Sequence, residues 1–115
     1  MNESSWGGPP QGPREMLHAD GAGCVGRKTF QPGEIYKNHL HPLAWECFVV
    51  ESGRMVIWLD RSHRVEFGAG DSYTVPPGVE HCPVNESGAP ATLLYVRAPY
   101  STQDVVTREW RPAGA

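Results

Sequence analysis

The sequence predicts an all-β fold, either a sandwich or a closed barrel. Two observations carry this reading. Gly (13) and Pro (11) make up about a fifth of the 115 residues, which favours many turns and short strands over long helices. Seven or eight short runs rich in β-branched and aromatic residues follow one another, each closed by a Gly, a Pro or a polar turn, with no helical run between them.

Residues 1–14 are dominated by Gly, Pro and Ser and predict a mobile arm. Residues 15–115 then form one domain, enough chain for a single core. The first predicted strand covers residues 24–30 and ends at the turn Gln31, Pro32, Gly33. Residues 35–41 follow and break at Pro42. Residues 45–51 form a dense apolar strand turned by Ser52 and Gly53. Residues 54–60 precede a polar turn at Arg61, Ser62 and His63. Residues 64–67 and Ser72–Val75 are short, the latter stopped by Pro76, Pro77 and Gly78. Residues 81–85 and 92–97 complete the set, with Pro99 closing the last. The tail offers a strand or a short turn around Val105 and Val106, and the sequence leaves that open.

Alternation assigns faces. Glu46, Phe48 and Val50 share one face, with Cys47 and Val49 on the other. Met55, Ile57 and Leu59 lie opposite Val56 and Trp58. Both faces are apolar, so the outer face must meet something, most simply a second subunit. Tyr95 and Arg97 share a face opposite Leu94 and Val96, but which face looks inward is not fixed.

Composition narrows the function classes. The net charge is −3 and no basic run is present, so a nucleic-acid partner is not expected. No apolar stretch reaches membrane-spanning length, and the first residues lack the pattern of a secretory signal. A soluble, cytoplasmic protein is therefore expected. Cys24, Cys47 and Cys82 are odd in number and form no CxxC pair, which argues against a disulfide framework or a zinc ribbon.

The chemistry gathers at four residues. His39 and His41 are two apart, a spacing that puts both imidazoles on one strand face about 7 Å apart. Glu46 begins the next strand, where its carboxylate is expected to face the pair across the ladder. His81 follows the Pro76, Pro77, Gly78 turn. Three imidazoles and a carboxylate suit one divalent transition metal, Fe, Mn, Ni, Cu, Co or Zn, and disfavour Ca or Mg. Four protein ligands leave open positions for a substrate or O₂.

These residues stand in two ordered segments. Gly33, His39, His41, Glu46 and Gly53 form the first, and Gly70, Pro76, Gly78, His81 and Asn85 the second. In residue type and spacing the segments resemble the two motifs of the cupin family. The resemblance implies a double-stranded β-helix, or jelly roll, with the metal held inside the barrel by His39, His41, Glu46 and His81. It also implies a homodimer, and a structural turn role for Asn85. Cupin dioxygenases, decarboxylases, lyases and isomerases use such sites, so a metal-dependent enzyme acting on a small chelating substrate is expected, with a dioxygenase placed first. A non-redox isomerase, lyase or cyclase, or a small-ligand-binding module, is the alternative. The expected pocket wall is Phe48, Met55, Ile57, Val75 and Arg97. Glu46, Tyr73 and Lys37 are the acid–base candidates. Lys37 shares parity with His39 and is read either as reaching solvent at the rim or as gripping an anionic substrate.

Overall fold

The computed structural model describes residues 11–114. Among them are ten strands and no helix: β1 (Arg14–Asp20), β2 (Gly23–Phe30), β3 (His39–Leu40), β4 (Trp45–Ser52), β5 (Arg54–Leu59), β6 (His63–Gly68), β7 (Ser72–Val75), β8 (His81–Val84), β9 (Ala91–Ala98) and β10 (Val106–Thr107). They form two five-stranded antiparallel sheets, ordered β1-β2-β9-β4-β7 and β10-β3-β8-β5-β6. Consecutive strands repeatedly change sheet, the double-stranded β-helix pattern.

The strands form where alternation places them. Glu46, Phe48 and Val50 are buried along β4, whereas Cys47 and Val49 are half-buried on its outer face. In β9, Ala91, Leu93 and Tyr95 point inward, which settles the face of Tyr95 and Arg97. Phe30, Phe48, Val50, Met55, Ile57, Leu59, Phe67, Val75, Ala91, Leu93 and Tyr95 make one continuous core between the sheets. The four turn glycines Gly33, Gly53, Gly70 and Gly78 all have φ of 79–88°, the left-handed region that only glycine enters without strain.

Several local expectations change. β1 is absent from the sequence reading because every residue of Arg14–Asp20 is exposed, so no apolar period marks it. It is an edge strand paired to β2 alone, with a register shift between Met16 and His18. Of the arm expected over residues 1–14, residues 1–10 lie outside the described residues. Gln11–Pro13 run along the barrel: Gly12 N–H donates to Glu34 Oε1 at 2.8 Å, and Thr29 N–H donates to the Pro13 carbonyl at 2.9 Å. The strand expected over residues 35–41 shrinks to His39–Leu40. Ile35 makes only an isolated bridge to Val84, and the Asn38 carbonyl accepts from Arg108 N–H in the tail rather than from a sheet neighbour. Finally, His63 begins β6 instead of lying in the turn, because Asp60 and Arg61, at φ 49° and 63°, complete the reversal before it.

The outer face of the second sheet is partly covered by the chain itself. Ile35, Cys82 and Val84 are buried there beneath Trp58 and Trp110. The two indoles meet edge-on at 6.2 Å, and Trp58 Nε1 donates to Glu86 Oε2 at 3.0 Å. Some of the apolar surface expected to need a second subunit is thus answered by the tail.

Candidate metal centre and its cavity

The four sequence-predicted ligands converge. His39, His41, Glu46 and His81 are all buried, and one ligand atom from each lies within 4.8 Å of the others. His39 and His81 are register partners between β3 and β8. Their ring centroids are 4.3 Å apart, and His41 lies 4.9 Å from His39. Glu46 does not face them across a ladder. It sits in β4, in the opposite sheet, and reaches them across the barrel interior. The link from Pro42 to Ala44 carries the chain between the sheets, so ligands only five residues apart approach from two walls.

Backbone carbonyls orient all three imidazoles. His39 Nδ1 lies 2.7 Å from the Lys37 carbonyl, His41 Nδ1 2.7 Å from that of Asp104, and His81 Nδ1 2.9 Å from that of Val79. A carbonyl only accepts, so each Nδ1 carries a proton, which leaves Nε2 as the nitrogen each ring can offer a metal. Nε2 of His41 and of His81 lie 3.2 and 3.0 Å from Glu46 Oε1. Three imidazole nitrogens and a carboxylate oxygen gathered at one buried point are a transition-metal donor set. The residues therefore fit a metal ion.

Protonation follows the same logic. Burial pushes His39 down to about 3, with the neighbouring His81 adding to the effect, so His39 is a neutral donor at ordinary pH. Burial alone would raise the Glu46 carboxyl, but its contacts with His41 and His81 outweigh it and hold the group well below the usual carboxylate range. Such a carboxylate is a ready ligand and a weak base.

A cavity of about 230 Å³ opens beside the ligands. Phe48, Lys37 and Arg97 line it, together with Arg14, Tyr36, Tyr95 and Tyr100. Met55, Ile57 and Val75 do not. They are fully buried in the core, Val75 as the register partner of Glu46 on the β7 side of β4. Tyr73 is half-buried and packs against that core, away from the cavity. Cys82 faces outward, and burial pushes its thiol up to about 12, which leaves it inert at neutral pH.

The sequence reading missed Asp104. Besides orienting His41 with its carbonyl, it accepts Leu43 N–H at Oδ1 and Ala44 N–H at Oδ2, both at 2.9 Å. One buried tail residue thus fixes the His41 ring and the link that leads to Glu46. No motif flags it; a lone Asp in a tail of mixed composition carries no signal. Asp104→Ala is expected to weaken metal binding by about 10–100-fold, the usual effect of losing an outer-sphere partner. Competition against a chromogenic chelator measures it, and unchanged affinity would remove Asp104 from the centre. Asn85, by contrast, is structural: its Nδ2 donates to the carbonyls of Phe30 and Ala89, and its Oδ1 accepts from Ser87.

The family model described as "Cupin domain" matches residues 26–97. No curated protein matches the sequence. Several solved structures share the fold. One is described as an uncharacterized conserved protein with a double-stranded beta-helix domain from Klebsiella pneumoniae subsp. pneumoniae MGH 78578. It is 20% identical, with 96% of each chain covered and a TM-score of 0.78. KdgF from a Halomonas species is 16% identical over 78% of this chain and 80% of its own, at a TM-score of 0.70. A Streptomyces PAC13 variant with uridine is 23% identical over 82% and 74%, at a TM-score of 0.69.

Proposed function

Because this chain belongs to the cupin domain family, we propose that it is a metal-dependent enzyme acting on a small organic substrate that chelates the metal. The observation that carries this reading is the convergence of His39, His41, Glu46 and His81 at one buried point, with a cavity directly beside them. The solved PAC13 structure holds a small molecule, uridine, on the same fold, which is compatible with this use of the barrel. Held by His39, His41, Glu46 and His81, a divalent transition metal supplies Lewis-acid polarisation of a chelated oxygen and, for a redox-active ion, electron transfer to or from O₂.

The residues around the centre divide the remaining work. Phe30, Phe48 and Leu93 give the cavity an apolar wall that excludes water from the bound face. Arg97 sits in register with Glu46 across β9 and β4, its Nε 3.4 Å from Glu46 Oε2, where it offsets negative charge on a bound ligand. Lys37 lines the cavity beside Tyr36 and is the acid–base candidate that remains, since Glu46 is committed as a ligand and Tyr73 lies elsewhere. Within this reading an oxygen-dependent reaction comes first: the donor set accepts Fe, Ni and Cu as well as Zn, and the apolar wall gives O₂ a place to reside.

The experiment is reconstitution of the metal-free protein with Fe(II), Ni(II), Mn(II) or Zn(II), followed by a turnover screen of small hydroxy, oxo and diketo compounds with and without O₂. Turnover that requires a redox-active ion and O₂ is expected. Turnover of the Zn(II) form without oxygen would move the reaction to the isomerase, lyase or cyclase class. Saturable binding with no turnover under any metal would make the protein a binding module.

A further inference from the structure

Resting on the reading that the four-ligand site holds a metal and a chelating substrate, we propose that this substrate carries a second oxyanion, a carboxylate or a phosphate ester, received by Arg14 and Arg97 around Tyr95. The chain as a whole is acidic, with a net charge of −3, yet the cavity wall collects Arg14, Lys28, Lys37 and Arg97. One of these is satisfied internally. Lys28 Nζ lies 2.7 Å from the buried Glu34 Oε2. Glu46 is the carboxylate on the wall itself, and a metal ion would more than offset it.

The two arginines are arranged for a ligand. Arg14 stands on the exposed edge strand β1 at the cavity mouth. Its guanidinium donates from Nε to Tyr95 Oη at 3.1 Å and from Nη1 to Tyr36 Oη at 3.0 Å. Among the described residues no carboxylate pairs with it. Arg97 lies deeper, half-buried between strands. Its Nε is buried without a hydrogen-bond partner, and Glu46 Oε2 is at ion-pair rather than hydrogen-bond geometry. The guanidinium carbons of Arg14 and Arg97 lie over the same Tyr95 ring, 5.5 and 5.6 Å from its centroid, and Tyr100 packs 5.4 Å from Arg97 as well. Arg14 is exposed with no carboxylate partner among the described residues, and Arg97, though ion-paired with Glu46, has a buried Nε without a hydrogen bond. A planar fork held by aromatic faces matches a carboxylate or phosphate bidentately.

The platform itself is built into the sheet. Tyr95 is the register partner of Gly26 in β2, and a Cβ at Gly26 would come within 2.0 Å of Tyr95 Cζ. The ring lies where a side chain would otherwise stand, and one arginine from β1 and one from β9 each lie over it. The metal then takes the chelating end of the substrate, and the arginines take the other charged end.

The test uses Mn(II)-loaded protein and calorimetric titration with two matched pairs: malate against its 4-amide malamate, and 3-phosphoglycerate against glycerate. Each pair keeps one 2-hydroxy-acid end and differs in the second charge. At least one charged member is expected to bind about tenfold more tightly than its neutral-ended partner, the scale of a charge-assisted hydrogen-bonded pair. The pair that shows the preference identifies the oxyanion. Arg14→Gln is expected to erase the preference while Mn(II) still binds, since Arg14 touches no metal ligand; Arg97→Gln gives a second reading. Equal affinities within both pairs, or no binding of any of the four compounds to the Mn(II)-loaded protein, would overturn the inference. So would a preference that survives both substitutions. Failure of the wild-type protein to bind Mn(II), Fe(II) or Zn(II) would instead overturn the metal-site reading on which it rests.

Discussion

Replacing His81 with alanine is expected to weaken metal binding by more than about 100-fold, beyond the roughly 10–100-fold that follows loss of an outer-sphere partner. The substitution removes an Nε2 donor that lies 3.0 Å from Glu46 Oε1. The fold should survive it, because β8 is held to β3 and β5 through its backbone. Thermal unfolding with metal present gives a second readout. A ligand at 100 times its dissociation constant stabilises the native state by about 2.7 kcal/mol. At that concentration, a variant weakened about 100-fold keeps only roughly 0.4 kcal/mol of the effect. A His81→Ala protein that is stabilised by metal as strongly as wild type would show that the ion, if bound, sits elsewhere.

Met55→Ala should do the reverse, with a large loss of stability and no loss of metal or ligand affinity. Met55 is fully buried, opposite Phe67 in the β5–β6 ladder and inside the continuous core. Truncating such a side chain removes its transfer free energy and leaves a void that the packed neighbours only partly close, a cost of about 2–5 kcal/mol. A shift in the denaturation midpoint at constant slope measures it. The contrast decides whether Met55 belongs to the core or to the pocket wall, where alternation alone had placed it. A wall residue would change ligand affinity and cost less stability.

That contrast explains what was legible in the residues and what was not. The ligand set was legible because coordination fixes both residue type and spacing: His39, His41, Glu46 and His81 can meet at one point only if the turns at Gly33, Gly53, Gly70 and Gly78 fall where they do. Inward facing was legible too, since Phe48 and Met55 share the buried side of their strands. Which inward side chains border the opening was not. Alternation tells inside from outside, but it cannot tell which inward residues are covered by their neighbours, so Ile57 and Val75 read like Phe48. Contacts between segments distant in sequence were equally silent. Arg14 on an edge strand without apolar period and Asp104 in the tail acquire their roles only from what they touch, 81 residues away at Tyr95 and 63 residues away at His41.

The Asp104 contacts also bear on how the centre is acquired during synthesis. Ribosomes deliver the chain from its N-terminal side, and domains tend to fold in that order. His39, His41, Glu46 and His81 have all emerged while Asp104 is still to come, so a nascent chain can gather its four ligands before the His41 ring and the Leu43–Ala44 link are pinned. On the proposed metal reading, ion capture by such a chain is expected to be weak and reversible. Retention is then expected to begin when Asp104 closes on His41 and the Leu43–Ala44 link, with exchange of a wrongly captured ion easiest before that moment and slow after it.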